Sequence, residues 1–149
     1  MSLIPDCCIL SDDKRAECVA AEKGKRYCLF NDSELRVRRI RADGCLAQRV
    51  AEGRCDFVMH IINNDSINSR VIFIELKGKD LIKAVTQIFD TIAYLKNEFK
   101  QHRLDARIVG TGGVPNYKSD PEYKKLQRVC SDTKGNIVTS THKNYSENV

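Results

Sequence analysis

Tryptophan is absent from the 149-residue sequence, proline occurs three times, and aromatic residues make up only 7%. So few aromatic residues argue against a platform on which the bases of single strands stack. No apolar run approaches the ~20 residues that a membrane-spanning helix needs, and residues 1–10 lack a basic segment followed by an apolar core. We therefore expect a cytoplasmic protein with no membrane partner.

Linkers rich in glycine, serine or proline are also missing, and no internal repeat is present. The sequence thus predicts a single domain over residues 1–149. A chain of this length buries roughly 68–70% of the surface that it exposes when unfolded, which supports a core without disulfides.

Seven cysteines are an odd number, and we expect most of them to be buried, reduced thiols. No pair has the C-x₂₋₄-C spacing of structural zinc sites, and the adjacent Cys7 and Cys8 are poorly suited to a tetrahedral site. Structural zinc is therefore not expected.

The net charge is +5, with an isoelectric point near 8.8, and this excess favours a polyanionic partner such as nucleic acid. The basic residues form two groups along the chain. If the groups converge in space, they would hold phosphates without reading sequence. They are Arg36, Arg38, Arg39, Arg41, Arg49 and Arg54 in the first group and Lys96, Lys100, Arg103, Arg107, Lys118, Lys124, Lys125 and Arg128 in the second.

Residue patterns in the first half of the chain predict a helix followed by strands. Polar residues that suit a helix start and apolar residues at helical spacing predict a helix over 11–23. Strand-forming residues around a turn predict a hairpin of 26–30 with 35–41. Apolar runs rich in β-branched residues predict two further strands, at 55–62 and 71–77.

The second half of the chain alternates helices and strands. Asp80 can cap a helix over 81–100, in which apolar residues repeat at helical spacing. A strand over 105–111 follows, then a C-terminal helix and strand within 119–141 and a frayed tail over 142–149. The order predicts an α/β fold with a mixed central sheet flanked by helices.

Acidic side chains interrupt the two apolar strands at 55–62 and 71–77. Asp56 lies in the first and Glu75 in the second, and a carboxylate in such a strand is costly unless it is paired or binds a cation. Two carboxylates on neighbouring strands could together hold Mg²⁺, which completes its coordination with water and phosphate oxygens. Lys77, two residues after Glu75, would place an ammonium group beside the same phosphate or attacking water.

Asp56, an interval of 18 residues and then Glu75-Leu76-Lys77 resemble the motif of the PD-(D/E)XK nuclease superfamily. The resemblance covers roughly residues 11–111 and implies a restriction-endonuclease-like core of helix, three strands, helix and strand (αβββαβ). It implies that Asp56, Glu75 and the backbone carbonyl of Leu76 bind Mg²⁺, which Mn²⁺ could replace, and that Lys77 is the catalytic lysine. Cys55 stands where the motif often has proline.

Further acidic and amide residues could support this site. Gln87 resembles a glutamine that some branches of the superfamily place near the active site. The superfamily often adds an acidic residue from the first helix, for which Glu17 and Glu22 both qualify, and Asp43 is a third candidate. His60 shares the predicted face of Asp56, although a histidine in a sheet is more often structural.

Together these features predict a metal-dependent nuclease, with DNA as its expected substrate and an endonuclease of restriction, repair or phage-defence type as its expected class. The alternative is an inactive nuclease-like module that binds nucleic acid or protein, and an RNA-cleaving toxin is a third reading. Cleavage of both strands by so small a domain would favour a homodimer that presents two sites.

Overall fold

A computed structural model of the chain describes residues 2–47, 53–63, 69–76, 80–110 and 116–149. These residues form nine strands and two α-helices, together with 3₁₀ turns at Asp6–Cys8 and Tyr117–Ser119. No helix in this part of the chain combines the length and apolar character that crossing a membrane requires. The elements are β1 (Ile9–Asp13), β2 (Glu17–Glu22), β3 (Lys25–Phe30), β4 (Arg36–Arg41), β5 (Phe57–Ile62), β6 (Arg70–Leu76), α1 (Leu81–Leu95), β7 (Arg103–Val109), α2 (Pro121–Asp132), β8 (Ile137–Ser140) and β9 (Asn144–Asn148).

The larger of two sheets has six strands in the order β1-β4-β5-β6-β7-β8. Strands β1, β4, β5 and β6 pair antiparallel with their neighbours. Helix α1 connects β6 to β7, which lies parallel to β6, and α2 connects β7 to β8, which lies parallel to β7. The α/β class and the mixed central sheet are thus confirmed.

Three layers enclose two apolar cores. Both helices pack on one face of the six-stranded sheet, where residues such as Phe73, Ile88 and Leu126 are buried together. The opposite face is covered by a second sheet, of order β2-β3-β9, which buries Tyr27 and Leu29 against that face. The helices that were expected to flank the central sheet therefore cover one of its faces, and a small sheet forms the third layer.

Strands replace the helix that was expected over residues 11–23. Ala16, Val19 and Ala20 have helical spacing, but Cys18 and Ala20 also alternate with more exposed neighbours, as a half-buried strand requires. All six residues of β2 pair antiparallel with β3, and this pairing stabilises the strand over the helix. The first element of the expected αβββαβ core is consequently not a helix.

The strands predicted at 26–30 and 35–41 are present, but they do not pair with each other. β3 pairs with β2 and β9, whereas β4 pairs with β1 and β5. Asn31 holds the connection between the sheets, since its side-chain amide donates to the Arg15 and Leu35 carbonyls and its side-chain oxygen accepts from the Leu35 amide. This buried asparagine makes the segment a crossing between layers instead of a hairpin turn.

The C-terminal tail is ordered, in contrast to the frayed tail expected over 142–149. Residues Asn144–Asn148 form β9, which lies parallel to β3. The Glu147 carboxylate accepts from the Arg107 guanidinium at 2.7 Å and 3.1 Å and from the Tyr27 hydroxyl at 2.7 Å. An ion cluster therefore joins the tail to both sheets.

Both helices begin at an aspartate whose side chain caps the first turn. The Asp80 carboxylate accepts from the Lys83 amide and caps α1, which ends at Leu95, short of the expected residue 100. Asp120 caps α2 by accepting from the Glu122 amide, and Pro121 occupies its first turn.

Candidate metal centre

Asp56 and Glu75 meet where β5 begins and β6 ends. Antiparallel pairing sets Phe57 opposite Ile74, so the residue before Phe57 lies beside the residue after Ile74. Glu75 is buried and shares the helix-covered face of β6 with Phe73, as the alternation of side chains predicts. Sequence reasoning placed both acids on neighbouring strands, and the structure brings them together.

Each of these two acids accepts a hydrogen bond from the backbone beside the other. Glu75 Oε1 accepts from the Asp56 amide at 3.0 Å, and Asp56 Oδ2 accepts from the Leu76 amide at 2.8 Å. The two bonds continue the pairing of β5 and β6 by one step, using side-chain oxygens in place of carbonyls. They fix the orientation of both carboxylates relative to the sheet.

A third carboxyl group comes from the other sheet. Glu22, the last residue of β2, forms a side-chain hydrogen bond with Asp56. Burial raises the pKa of Glu22, and the hydrogen bond and negative charge of Asp56 raise it further. Glu17, the other candidate, is exposed at the opposite end of β2, about 17 Å away for five residues of strand.

A two-residue turn delivers Glu22 to this position. Lys23 and Gly24 both have positive φ angles, 50° and 79°, which is the geometry of the type I′ turn that closes tight hairpins. The Lys25 side chain then crosses Gly110 at the end of β7, where a Cβ would lie 2.5 Å from Lys25 Cδ. The tip of the β2–β3 hairpin is thus fixed over the carboxyl ends of the parallel strands.

One arginine of the first basic group reaches the acids. Arg41, the last residue of β4, places Nη1 3.9 Å from Glu22 Oε1, and its guanidinium lies 5.3 Å from the centre of the Phe57 ring. The Arg41 side chain is 44% exposed, so it can also meet a solute at this edge. Sequence reasoning listed Arg41 only as one of a run of basic residues.

Several other arginines are paired with groups of the protein itself, and two of them are buried. Arg54 is buried and donates to the carbonyls of Ala47 and Asp90 while stacking 4.3 Å from the Tyr94 ring centre. Arg107 is buried in the ion cluster of the tail. Arg36 and Arg38 both approach Asp12, at 2.7 Å and 3.7 Å.

Helix α1 contacts the residue that precedes Asp56 through Thr91. The Thr91 hydroxyl donates to the Gln87 carbonyl at 2.7 Å and accepts from the Cys55 amide at 3.0 Å. Gln87 is only 7% exposed, so it does not lie on a solvated helix face. Burial raises the pKa of the Cys55 thiol, and the charges of Glu75 and Asp56 add to this effect.

Asp43 and Leu76 are the other predicted site residues near the two acids. Lys77 lies outside the described residues, and the role of the Leu76 carbonyl stays a prediction. Asp43 belongs to a turn whose preceding residue, Ala42, donates its amide to the Asp56 carbonyl at 3.0 Å, so this turn lies beside the site. His60 lies further along β5, against Phe99 and His102.

Cysteines, and not the acids, form the tightest group of metal-ligating side chains in the described residues. The sulfur atoms of Cys7, Cys8 and Cys45 all lie within 4.8 Å of one another, and Cys8 and Cys45 are joined in a disulfide. Glu22, Asp56 and Glu75 do not all approach one another so closely. Five cysteines remain thiols, as expected for most of the seven, but the disulfide is at odds with a reducing compartment such as the cytosol.

Comparison of the chain with models of protein families, with curated proteins and with solved structures finds no match in any of the three.

Proposed function

We propose that the protein is a metal-dependent nuclease, most simply a DNA endonuclease, with its centre at Asp56 and Glu75. The observation that carries the proposal is the position of these two carboxylates, held side by side where β5 begins and β6 ends. Catalytic and ligand-binding groups commonly gather at the carboxyl ends of parallel strands in α/β sheets, where Glu75 also lies.

The donor set suits a hard divalent cation. Carboxylate oxygens are the preferred protein ligands of Mg²⁺, which typically takes one or two of them and retains waters. The negative charge of Asp56 raises the pKa of Glu22, and a cation bound between these acids would relieve that repulsion. Mg²⁺ bound here would polarise a phosphodiester and activate a water molecule, and Mn²⁺ is expected to substitute for it.

Positive side chains would hold the substrate in this scheme. Arg41 Nη1 lies 3.9 Å from Glu22 Oε1, and the Arg41 side chain is 44% exposed, so it could bind a phosphate. Lys77 follows the second carboxylate by two residues and, by its resemblance to the superfamily motif, would stabilise the attacking water or the developing charge. The net charge of +5 favours a polyanionic substrate.

The order of elements adds support to the superfamily reading. Antiparallel β4, β5 and β6, then α1, then the parallel β7 follow the three-strand, helix and strand sequence expected of the core. The departure is at the start, where β1 and β2 occupy the place of the first helix, and Glu22 reaches the acids from a strand. The proposal therefore keeps the supporting acid but changes the element that carries it.

A binding module without catalysis is the second candidate, and one observation favours it. The reciprocal bonds of Asp56 and Glu75 to backbone amides would stabilise the junction of β5 and β6 without any cation. Such a module would bind nucleic acid or protein through the same edge. A homodimer and a cytoplasmic location also stay proposals.

Cleavage of supercoiled plasmid by the purified chain, with Mg²⁺, Mn²⁺ or chelator, tests the proposal. We expect Glu75→Gln and Asp56→Asn to lower the rate at least about a hundredfold, as loss of a metal ligand should. Lys77→Ala should lower the cleavage rate at least as much, but it should not weaken the binding of Mn²⁺ as measured by calorimetry. Labelled RNA and DNA oligonucleotides in parallel reactions identify the substrate.

Strand β2 supplies both a test variant and its matched control. Glu22→Gln should weaken Mn²⁺ binding, whereas Glu17→Gln, at the exposed end of β2, should change neither binding nor rate. Circular dichroism checks that each variant is folded. Cleavage that survives Glu75→Gln would refute the assigned centre, and nucleic-acid binding without cleavage in the wild type would establish the binding module.

A further inference from the structure

Three sulfur atoms lie together where the N-terminal segment meets the turn that follows β4. The disulfide joins Cys8, which is fully buried, to Cys45, which is partly buried. Cys7 is an exposed thiol, and its Sγ lies within 4.8 Å of both disulfide sulfurs. A thiol that reagents can reach is therefore positioned against a disulfide that is largely sheltered from them.

We propose that Cys7, Cys8 and Cys45 form a thiol–disulfide exchange site, in which Cys7 gives dithiol reductants access to the Cys8–Cys45 bond. This inference is independent of the nuclease proposal. Thiolates react with disulfides through exchange, and the rate depends strongly on access and on the local concentration of the attacking thiol. A thiol held within 4.8 Å has a large advantage over one in solution.

Backbone geometry selects the sulfur that Cys7 attacks. Disulfides usually join Cα atoms that lie about 4.4–6.8 Å apart, whereas consecutive Cα atoms are only about 3.8 Å apart. A bond between the adjacent Cys7 and Cys8 is therefore disfavoured. Attack on Cys45 avoids this constraint, so Cys45 is the expected partner.

The exchange then balances in three steps. The Cys7 thiolate bonds to Cys45 Sγ, the Cys8–Cys45 bond breaks, and Cys8 leaves as a thiolate that takes a proton. A dithiol reductant attacks the exposed Cys7 sulfur of the new disulfide and releases the Cys45 thiol. The second sulfur of the reductant closes on its first and releases Cys7, so the reductant is oxidised to a cyclic disulfide and the protein bond is reduced by two electrons.

No other free cysteine of the described chain is placed to do this. Cys18, Cys28, Cys55 and Cys130 are all buried. Burial raises the pKa of the Cys130 thiol to about 12, which keeps it protonated and unreactive. The disulfide also leaves only Cys7 as a thiol in the three-sulfur group, so the oxidised cluster is better suited to exchange than to metal binding.

The test follows reduction of the native disulfide by dithiothreitol at pH 8, with iodoacetamide quenching and mass spectrometry of peptides. We expect Cys7→Ser to slow the loss of the Cys8–Cys45 bond by about tenfold or more. Cys7→Ser retains the native disulfide and changes an exposed residue, so it should fold. Cys130→Ala, which removes a distant buried thiol, should leave the rate unchanged.

A second variant tests the selected partner. After oxidation with glutathione disulfide, Cys8→Ser should contain a Cys7–Cys45 bond, whereas Cys45→Ser should contain no Cys7–Cys8 bond. Reduction of Cys7→Ser at the wild-type rate would overturn the role of Cys7. If Cys7 and Cys45 remain unbonded to each other in a folded Cys8→Ser protein, the exchange route itself is wrong.

Discussion

Replacing Glu147 with alanine should destabilise the protein strongly, although Glu147 is only two residues from the C-terminus. The wild-type carboxylate accepts two hydrogen bonds from Arg107, at 2.7 Å and 3.1 Å, and one from the Tyr27 hydroxyl. The Arg107 side chain is 3% exposed and that of Glu147 is 17% exposed. Removing the carboxylate would leave a buried guanidinium without its closest anion and a buried hydroxyl without its acceptor.

The expected loss can be estimated from this burial. Breaking a buried ion pair by removing one partner costs about 3–5 kcal/mol. Asp105 remains 3.9 Å from Arg107, and Asn136 still accepts from it, so the lower end of that range applies. We therefore expect the free energy of unfolding to fall by about 3 kcal/mol and the melting temperature by roughly 6–12 °C for a chain of this size.

Urea and thermal unfolding at pH 7, followed by circular dichroism, measure this loss. The matched control is Glu122→Ala, because Glu122 forms an exposed pair with Lys125 at 3.2 Å and should change stability by less than about 0.5 kcal/mol. A loss below about 1 kcal/mol for Glu147→Ala would refute the reasoning. It would mean that Arg107 is satisfied without the tail.

Acid should remove the contribution of Glu147. Burial alone would raise the pKa of Glu147, but hydrogen bonds from Arg107 and Tyr27, with the charges of Arg107 and Arg70, outweigh it and bring the pKa below its usual value. The folded state thus favours the ionised form, and the stabilisation is full above about pH 4.5 and lost as pH falls through the folded pKa. The difference between wild type and Glu147→Ala should shrink accordingly.

Two further substitutions test local packing and ionisation. Gly135→Ala should lower the free energy of unfolding in urea by about 3 kcal/mol or more, because the added Cβ would lie 1.8 Å from the Leu104 carbonyl oxygen. The control Gly44→Ala has open space around the Cβ but a φ of 74°, so it should cost only about 1–2 kcal/mol. Equal losses for the two variants would contradict the predicted clash. Burial lowers the pKa of His60 to about 4 from 6.5, so stability should fall as pH decreases from 6.5 to 4, by about 2 kcal/mol after allowance for partial exposure. His60→Phe should flatten this part of the pH profile of unfolding, and an unchanged profile would mean that another group is responsible.

Elements whose signals are local could be predicted from the sequence. Strand β6 is a run of β-branched and aromatic residues, and α1 combines a cap at Asp80 with a continuous apolar stripe. The element at 11–23 differs, because alanine-rich segments satisfy both helical and strand periods. The segment 17–22 forms a strand because it pairs with β3, and the residues of the segment itself do not reveal that partner.

Pairings that depend on distant partners could not be predicted. The parallel contact of β9 with β3 joins Tyr145 to Tyr27 across most of the chain. The side chain that secures it, Glu147, has its main partner, Arg107, 40 residues away. A polar tail with one buried acid resembles any disordered tail until the buried arginine that faces it is known.

The residues of the candidate centre also differ in whether local signals or distant partners determine their positions. Asp56 and Glu75 could be placed together because consecutive antiparallel strands put the start of one beside the end of the other. Glu22 could not be separated from Glu17, because the choice depends on whether 17–22 is a helix or a strand. In a helix the two acids would be less than about 8 Å apart along the axis, whereas in β2 they occupy opposite ends and only Glu22 reaches Asp56. The wrong element predicted for the start of the chain therefore left the supporting acid undecided, although Asp56 and Glu75 were correctly expected to lie on neighbouring strands.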